Sequence, residues 1–170
     1  LDPIAAYDQA GTQLNAIQHV NAGALAEADA GDAVLKAKRP MGPLHCVPVL
    51  LKYQVETKDM PTTYVSALFK GFMSQRDATI VTRLEAAGAI ILAKTNMGEY
   101  ASRYVGSAFG IIRNAYDTAR NPSGSSGGTG SVGWKAATSV AGSGATGGET
   151  EPIPGVGTTS GACTVGRRGT

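Results

Sequence analysis

The sequence predicts an α/β fold: a mainly parallel or mixed central sheet flanked by helices. Three observations carry that prediction. Two apolar runs, residues 47–53 and 89–93, have no polar alternation, as expected of strands covered on both faces. The second run follows directly on a segment with helical spacing, Ile80, Val81 and Leu84, which Gly88 ends. A helix feeding such a strand is the αβ half of a parallel unit. The 170 residues suffice for one domain with a core of its own, and no linker divides them.

Taken in order, residues 14–20 alternate loosely and are expected as a short strand. Residues 21–38 carry Ala24, Leu25, Ala28 and Leu35 among helix formers, with Asn21 as expected N-cap. Pro40, Gly42 and Pro43 break the chain before the strand at 47–53. Residues 57–76 show no period and are read as an excursion. Asp77 is expected to cap the helix that Gly88 closes, and a short helix is expected at Glu99 and Tyr100.

Composition narrows the function classes. Hydrophobic residues make up 42%, charged residues 16%, and the net charge is +2, so neither a nucleic acid nor an anionic membrane is an electrostatically favoured partner. No run reaches the 18 or so apolar residues of a membrane span, and no basic leader precedes an apolar stretch. The sequence leaves the compartment open, leaning to the cytoplasm. Cys46 and Cys163 lack metal-ligand spacing and are read as two reduced core residues. No cofactor is implied, and no cluster with metal-ligand spacing can be assembled.

Glycine usage is uneven: 14 of the 23 glycines fall in residues 121–170. Regular helix throughout is disfavoured there, since an interior Gly costs about 1 kcal/mol relative to Ala. Low charge argues against disorder, which leaves tight turns around a site. Within this region Gly128-Thr129-Gly130-Ser131-Val132-Gly133 spells a dinucleotide fingerprint, but the residues before it, Arg120-Asn121-Pro122-Ser123-Gly124, are loop-forming where a strand is required. A phosphate loop needs lysine at 134, where Trp134 stands; Lys135 is one place late. A plain connecting turn remains open on the glycines alone.

Lys52 ends the run Val47-Pro48-Val49-Leu50-Leu51, and Gly124-Ser125-Ser126-Gly127-Gly128 follows downstream. A lysine at a buried strand end loses charge stabilisation, which makes its neutral amine accessible as a base. Serines in a glycine-rich turn set hydroxyls beside open backbone amides, as serine acyl transfer requires. Taken alone, Lys52 reads better as a lysine snorkelling to the surface at a strand end, and the downstream serines reverse that preference.

Four stretches resemble the amidase signature family in order and spacing, over about residues 3–130. They are Gly42-Pro43-Leu44-His45-Cys46-Val47-Pro48-Val49-Leu50-Leu51-Lys52; residues 77–88; Ala89-Ile90-Ile91-Leu92-Ala93-Lys94-Thr95-Asn96-Met97; and Asn121-Pro122-Ser123-Gly124-Ser125-Ser126-Gly127-Gly128-Thr129-Gly130. The resemblance implies an amide-bond hydrolase with a Ser-Ser-Lys triad and an acyl-enzyme intermediate. In it Lys52 matches the base, Ser125 the relay serine held by a cis peptide, and Ser126 a supporting serine. The nucleophile's Gly-Gly-Ser turn matches less well. Counted by turn pattern, Gly147, Gly148 and Glu149 supply the oxyanion hole and Thr150 is the nucleophile. Counted back from Val165-Gly166-Arg167-Arg168-Gly169-Thr170, the position is Pro154, which has no nucleophile; Ser143 and Ser160 are the other nearby hydroxyls.

Other departures are Tyr53-Gln54 where the family has Asp-Asn, and Trp134-Lys135 within a helix of small residues expected over 131–141. His19 and His45 sit in no motif and are read as structural; Asp59, Glu85 and Glu99 are read as surface or capping carboxylates. The resemblance further implies a small-molecule amide substrate, and either a homodimer or the remaining half of a longer enzyme as partner, this chain being its N-terminal part. An amidotransferase subunit, or a catalytically silent member serving as a binding module, are the alternatives.

Overall fold

A computed structural model describes residues 4–137 of the chain, with side chains to 132. Among these residues the core is a mixed three-stranded sheet of order β1-β3-β2, where β1 is Ile17–Val20, β2 Pro48–Lys52 and β3 Ile90–Thr95. β2 runs parallel to β3, with Pro48 opposite Ile90 and Lys52 opposite Thr95; β1 runs antiparallel, with Ile17 opposite Thr95. The two apolar runs are thus parallel neighbours in the sheet. Only β3 is interior among the described residues, and β1 and β2 form the two edges.

Helix α1, Ala24–Lys36, lies on one face of the sheet, where Ala24 and Ala28 bury against Ile90 beside Cys46 and Leu92. Helix α2, Thr79–Ala86, lies on the other, where Val81 packs on Leu51, Ile91 and Met60. The β2–β3 register shifts between Val49 and Leu50, so that Leu50 faces Ala93 and Leu92 is skipped. That bulge lets Ile90 and Leu92 both serve the α1 face while Leu51 and Lys94 share the α2 face.

Helix ends follow local chemistry, with two corrections to the sequence reading. Gly88, at φ +92°, closes α2 in a Schellman turn: its N–H donates to Glu85 O at 2.8 Å, and the Ala89 N–H to Leu84 O at 3.0 Å. Asp77 does not cap α2. The cap position is Ala78, and the Asp77 carboxylate instead accepts from Lys58 N (2.9 Å) and Lys58 Nζ (2.7 Å), which ties down the 57–59 turn. Likewise Gly23 stands in the cap position of α1, while Asn21 Oδ1 accepts from the Gly23 N–H and Asn21 Nδ2 donates to Ile91 O.

The excursion at 57–76 is mostly turns with a 3₁₀ segment at Ala67–Phe69, and Glu99–Ala101 is a second 3₁₀ turn. A two-stranded hairpin, β4 (Val105–Gly106) and β5 (Gly110–Ile111), brings Phe109 edge-on to Tyr53. Cys46 carries no free thiol, which corrects the reading of reduced cysteines for that residue; Cys163 lies outside the described residues. No described helix is long and apolar enough to cross a membrane.

One structural role had no sequence signal. Asp8, buried at 5% exposure, accepts from the Ala16 N–H (2.6 Å) and the Ile17 N–H (3.0 Å) and so fixes the entry to β1. Asp8→Ala strands two backbone donors that have no other way to be satisfied. The expected outcome is a loss of about 2–4 kcal/mol in urea unfolding, with Asp8→Asn recovering part of it.

Candidate active site

Helix α3, Gly127–Ala137, ends the described region and brings the glycine-rich turn to the sheet. Its glycines oppose helix formation locally, and close packing explains their presence. A Cβ on Gly128 would lie 2.6 Å from Ala16 O and 2.6 Å from Asn96 N, and still closer to Asn96 O. Only a bare Cα lets the helix start touch the ends of β1 and β3. The Gly128 N–H, otherwise an orphan of the first turn, donates to Asn96 O at 3.1 Å. Ser131, buried at 2% exposure, anchors the next turn by donating to Arg113 O at 2.7 Å. The G-x-G-x-x-G segment thus lies inside a helix and not in the strand-to-helix turn of a dinucleotide site. The backbone at Trp134 and Lys135 remains helical, so these residues do not interrupt it.

The Ser125 turn meets the end of β2 here. Lys52 Nζ donates to Ser125 Oγ at 2.7 Å. The peptide bond between Gly124 and Ser125 is cis, as the resemblance implied. The turn is held by Gly98 N–H donating to Ser125 O at 3.0 Å, and Gly124 abuts the Arg103 backbone too closely to admit a side chain. Alongside, Thr95 Oγ1 donates to Leu51 O at 3.3 Å and pairs with Thr129 Oγ1 at 3.0 Å, linking β2, β3 and α3 at the level of Lys52.

Lys52 is half-buried and not fully buried as a strand-end position suggests, because β2 is an edge among the described residues. Burial nonetheless pushes its ammonium below the ordinary lysine value. A lysine with lowered proton affinity, hydrogen-bonded to a serine hydroxyl, can take a proton from that hydroxyl or through it. Ser126 is exposed, and its carbonyl accepts from the Gly130 N–H in the first turn of α3. Gln54 Oε1, two residues past Lys52, is buried without a partner among the described residues.

The histidines stay apart from this pair. His45 Nε2 lies 3.1 Å from Gly31 O, and His19 faces Lys94 across β1 and β3. Burial, then the Lys94 charge, holds His19 below its ordinary value, against a smaller opposing effect of Asp59. Glu99 accepts from Ser107 N and Oγ and so ties down the β4–β5 turn; it caps no described helix. Thr150, Ser143, Ser160, Gly147, Gly148 and Glu149 lie outside the described residues, and with them the nucleophile and oxyanion assignments.

Sequence reasoning missed Lys94. It is fully buried, and its ammonium donates to Thr62 Oγ1 (2.6 Å), Pro61 O (2.8 Å) and Met60 O (3.5 Å), with the Tyr53 ring centroid 5.5 Å away. Burial lowers it to about 8 against the opposing charges of Asp59, Glu56 and Asp77. Because the folded state releases this proton at lower pH, the unfolded chain binds more protons between about 8 and 10.5. Stability should therefore rise with pH across that window, by about 1 kcal/mol per unit at most for one such group. Urea midpoints of the wild type and of Lys94→Met, compared at each pH, isolate this contribution; the gap between them should shift in favour of the wild type as pH rises.

The strand-end lysine of an α/β sheet thus meets a serine held in a glycine-rich turn. The Amidase family model matches residues 3–148, and the chain belongs to the amidase signature family. It is 50% identical over 134 residues to a glutamyl-tRNA(Gln) amidotransferase subunit from Nocardia farcinica, covering 76% of this chain and 26% of that protein. Its structure resembles peptide amidase from Stenotrophomonas maltophilia, with TM-score 0.71 and 37% identity over 75% of this chain and 28% of the amidase. An amidase family protein from Bacillus anthracis gives TM-score 0.72 at 32% identity, over 77% and 28% of the two chains. The chain spans about a quarter of the length of the curated relatives it matches.

Proposed function

We propose that residues 1–170 form one domain that contributes the proton-handling half of an amide-bond hydrolase site. The observation that carries this reading is the 2.7 Å hydrogen bond from Lys52 Nζ to Ser125 Oγ. In the step we envisage, neutral Lys52 accepts a proton from Ser125 Oγ as Ser125 takes one from the nucleophile hydroxyl. The nucleophile oxygen attacks the carbonyl carbon of a small-molecule amide. Collapse of the tetrahedral intermediate breaks the C–N bond, and the proton returns through Ser125 to the departing nitrogen. Water then attacks the acyl ester by the same relay and frees the acid. Thr150 is the nucleophile this reading assigns, with Ser143 or Ser160 in reserve, and the amides of Gly147, Gly148 and Glu149 hold the oxyanion, each such donor being worth about 3–4 kcal/mol in analogous sites. Ser126 supports the turn.

The 50% identity to an amidotransferase subunit favours a near variant. There the same lysine and serine release ammonia for transfer in company with partner subunits. No cofactor enters either scheme.

The test is covalent labelling of the natural-length polypeptide with a fluorophosphonate probe, followed by peptide mapping. Capture at one hydroxyl between residues 143 and 160 is expected, and it should vanish in Lys52→Ala. No capture in the wild type, with a thiol-free buffer and an active control hydrolase, favours the catalytically silent binding module.

A further inference from the structure

Resting on the reading of Lys52 as the base, we propose that Lys94 is a positioning residue: a buried cation on the opposite face of the sheet that locks the end of β2 where Lys52 meets Ser125. The strand register sets up the arrangement. Leu51 lies opposite Lys94 and Lys52 opposite Thr95, so Lys52 and Thr95 face α3 while Leu51 and Lys94 face the other way. The two residues that bracket Lys52 both rest on what Lys94 holds. Leu51 packs on Met60, whose carbonyl accepts from Lys94, and the Tyr53 ring lies against the ammonium itself. The Tyr53 N–H donates to Thr95 O at 3.0 Å and extends the ladder past Lys52.

The choice of a lysine here is informative. A buried cation without a hydrogen-bonded carboxylate is costly, and an apolar side chain of similar length would fill the same space as well or better. Lys94 has no ion pair among the described residues; Glu56, Asp59 and Asp77 act on it only at a distance, and His19 faces it from β1. What an apolar residue cannot do is fix three acceptors, all from residues 60–62, to one point. That segment begins the 57–76 excursion, which otherwise has no strand or α-helix to hold it against the sheet. Lys94 replaces such an element and gives the edge strand β2 a rigid backing that its unpaired side does not supply.

The experiment uses competitive acetylation with trace acetic anhydride from neutral to alkaline pH, read at Lys52 by peptide mass spectrometry, with thermal unfolding recorded in parallel. Lys94→Met removes the three donors. Thr62→Val removes one acceptor at constant shape and carries the test if the first variant fails to fold. Ile90→Ala, in the α1 cluster, controls for lost core packing. In the wild type Lys52 should titrate below an ordinary lysine. In Lys94→Met and in Thr62→Val its midpoint should move up, cutting the neutral amine at neutral pH by about threefold or more, while Ile90→Ala leaves it in place. An ordinary midpoint in the wild type overturns both the base reading and this proposal. A lowered midpoint that neither folded variant moves, or that Ile90→Ala moves as far, overturns the positioning role and leaves the base reading standing.

Discussion

Replacing Lys52 by Ala is expected to reduce amide turnover by the natural-length polypeptide by about 10²–10⁴-fold, the usual range for loss of a positioned general base. KM should change little, because the amine meets Ser125 and not the substrate. Stability should also change little: Lys52 is half-buried, its burial disfavours its own charge, and its truncation relieves that penalty. Ser125→Ala should lose a similar factor, and the double variant no more than either alone, because the two groups act as one unit. Additive losses would show that lysine and serine work separately.

A large stability effect is also expected from Gly128→Ala. The new methyl meets three backbone atoms, Asn96 O, Asn96 N and Ala16 O, and none can yield without opening the contact between α3 and the ends of β1 and β3. A loss of about 3 kcal/mol is expected, at the upper end for overpacking, together with loss of the Lys52–Ser125 contact. Gly130→Ala is the matched control. There the nearest atom to an added Cβ is Pro122 O at 3.6 Å, an ordinary contact, so the better helix former should stabilise by up to about 1 kcal/mol. Urea unfolding of the two variants side by side checks both signs.

These glycines show where sequence reasoning stopped. The apolar runs at 47–53 and 89–93 identified β2 and β3 because buried strands have no polar face to show, and Gly88 marked the end of α2 because only a left-handed residue closes a Schellman turn easily. The Lys52–Ser125 pairing was legible through the family resemblance. Helix α3 was legible only through the resemblance, since propensity argues against a helix holding Gly127, Gly128, Gly130 and Gly133, and the tertiary contact that overrides it joins residues far apart in sequence. Lys94 was missed for a related reason. A lysine after an apolar run reads as the point where a strand emerges into water, and nothing local reveals that Pro61 and Thr62 wait to receive it. Asp77 misled in the opposite sense. It stands two residues before α2 like a cap, yet Lys58 supplies a backbone N–H and a charged ammonium instead. The residues assigned as nucleophile, Thr150, Ser143 and Ser160, lie outside the described residues.

The central claim is that Lys52 works as a neutral amine handing protons through Ser125. The most direct measurement is the titration of Lys52 Nζ by heteronuclear NMR, assigned with Lys52→Arg and repeated in Ser125→Ala. The account predicts a midpoint below the ordinary lysine value of 10.5 in the wild type, and a displaced midpoint when the serine hydroxyl is removed. A midpoint at or above 10.5, indifferent to Ser125, would show a solvated strand-end lysine and contradict the account.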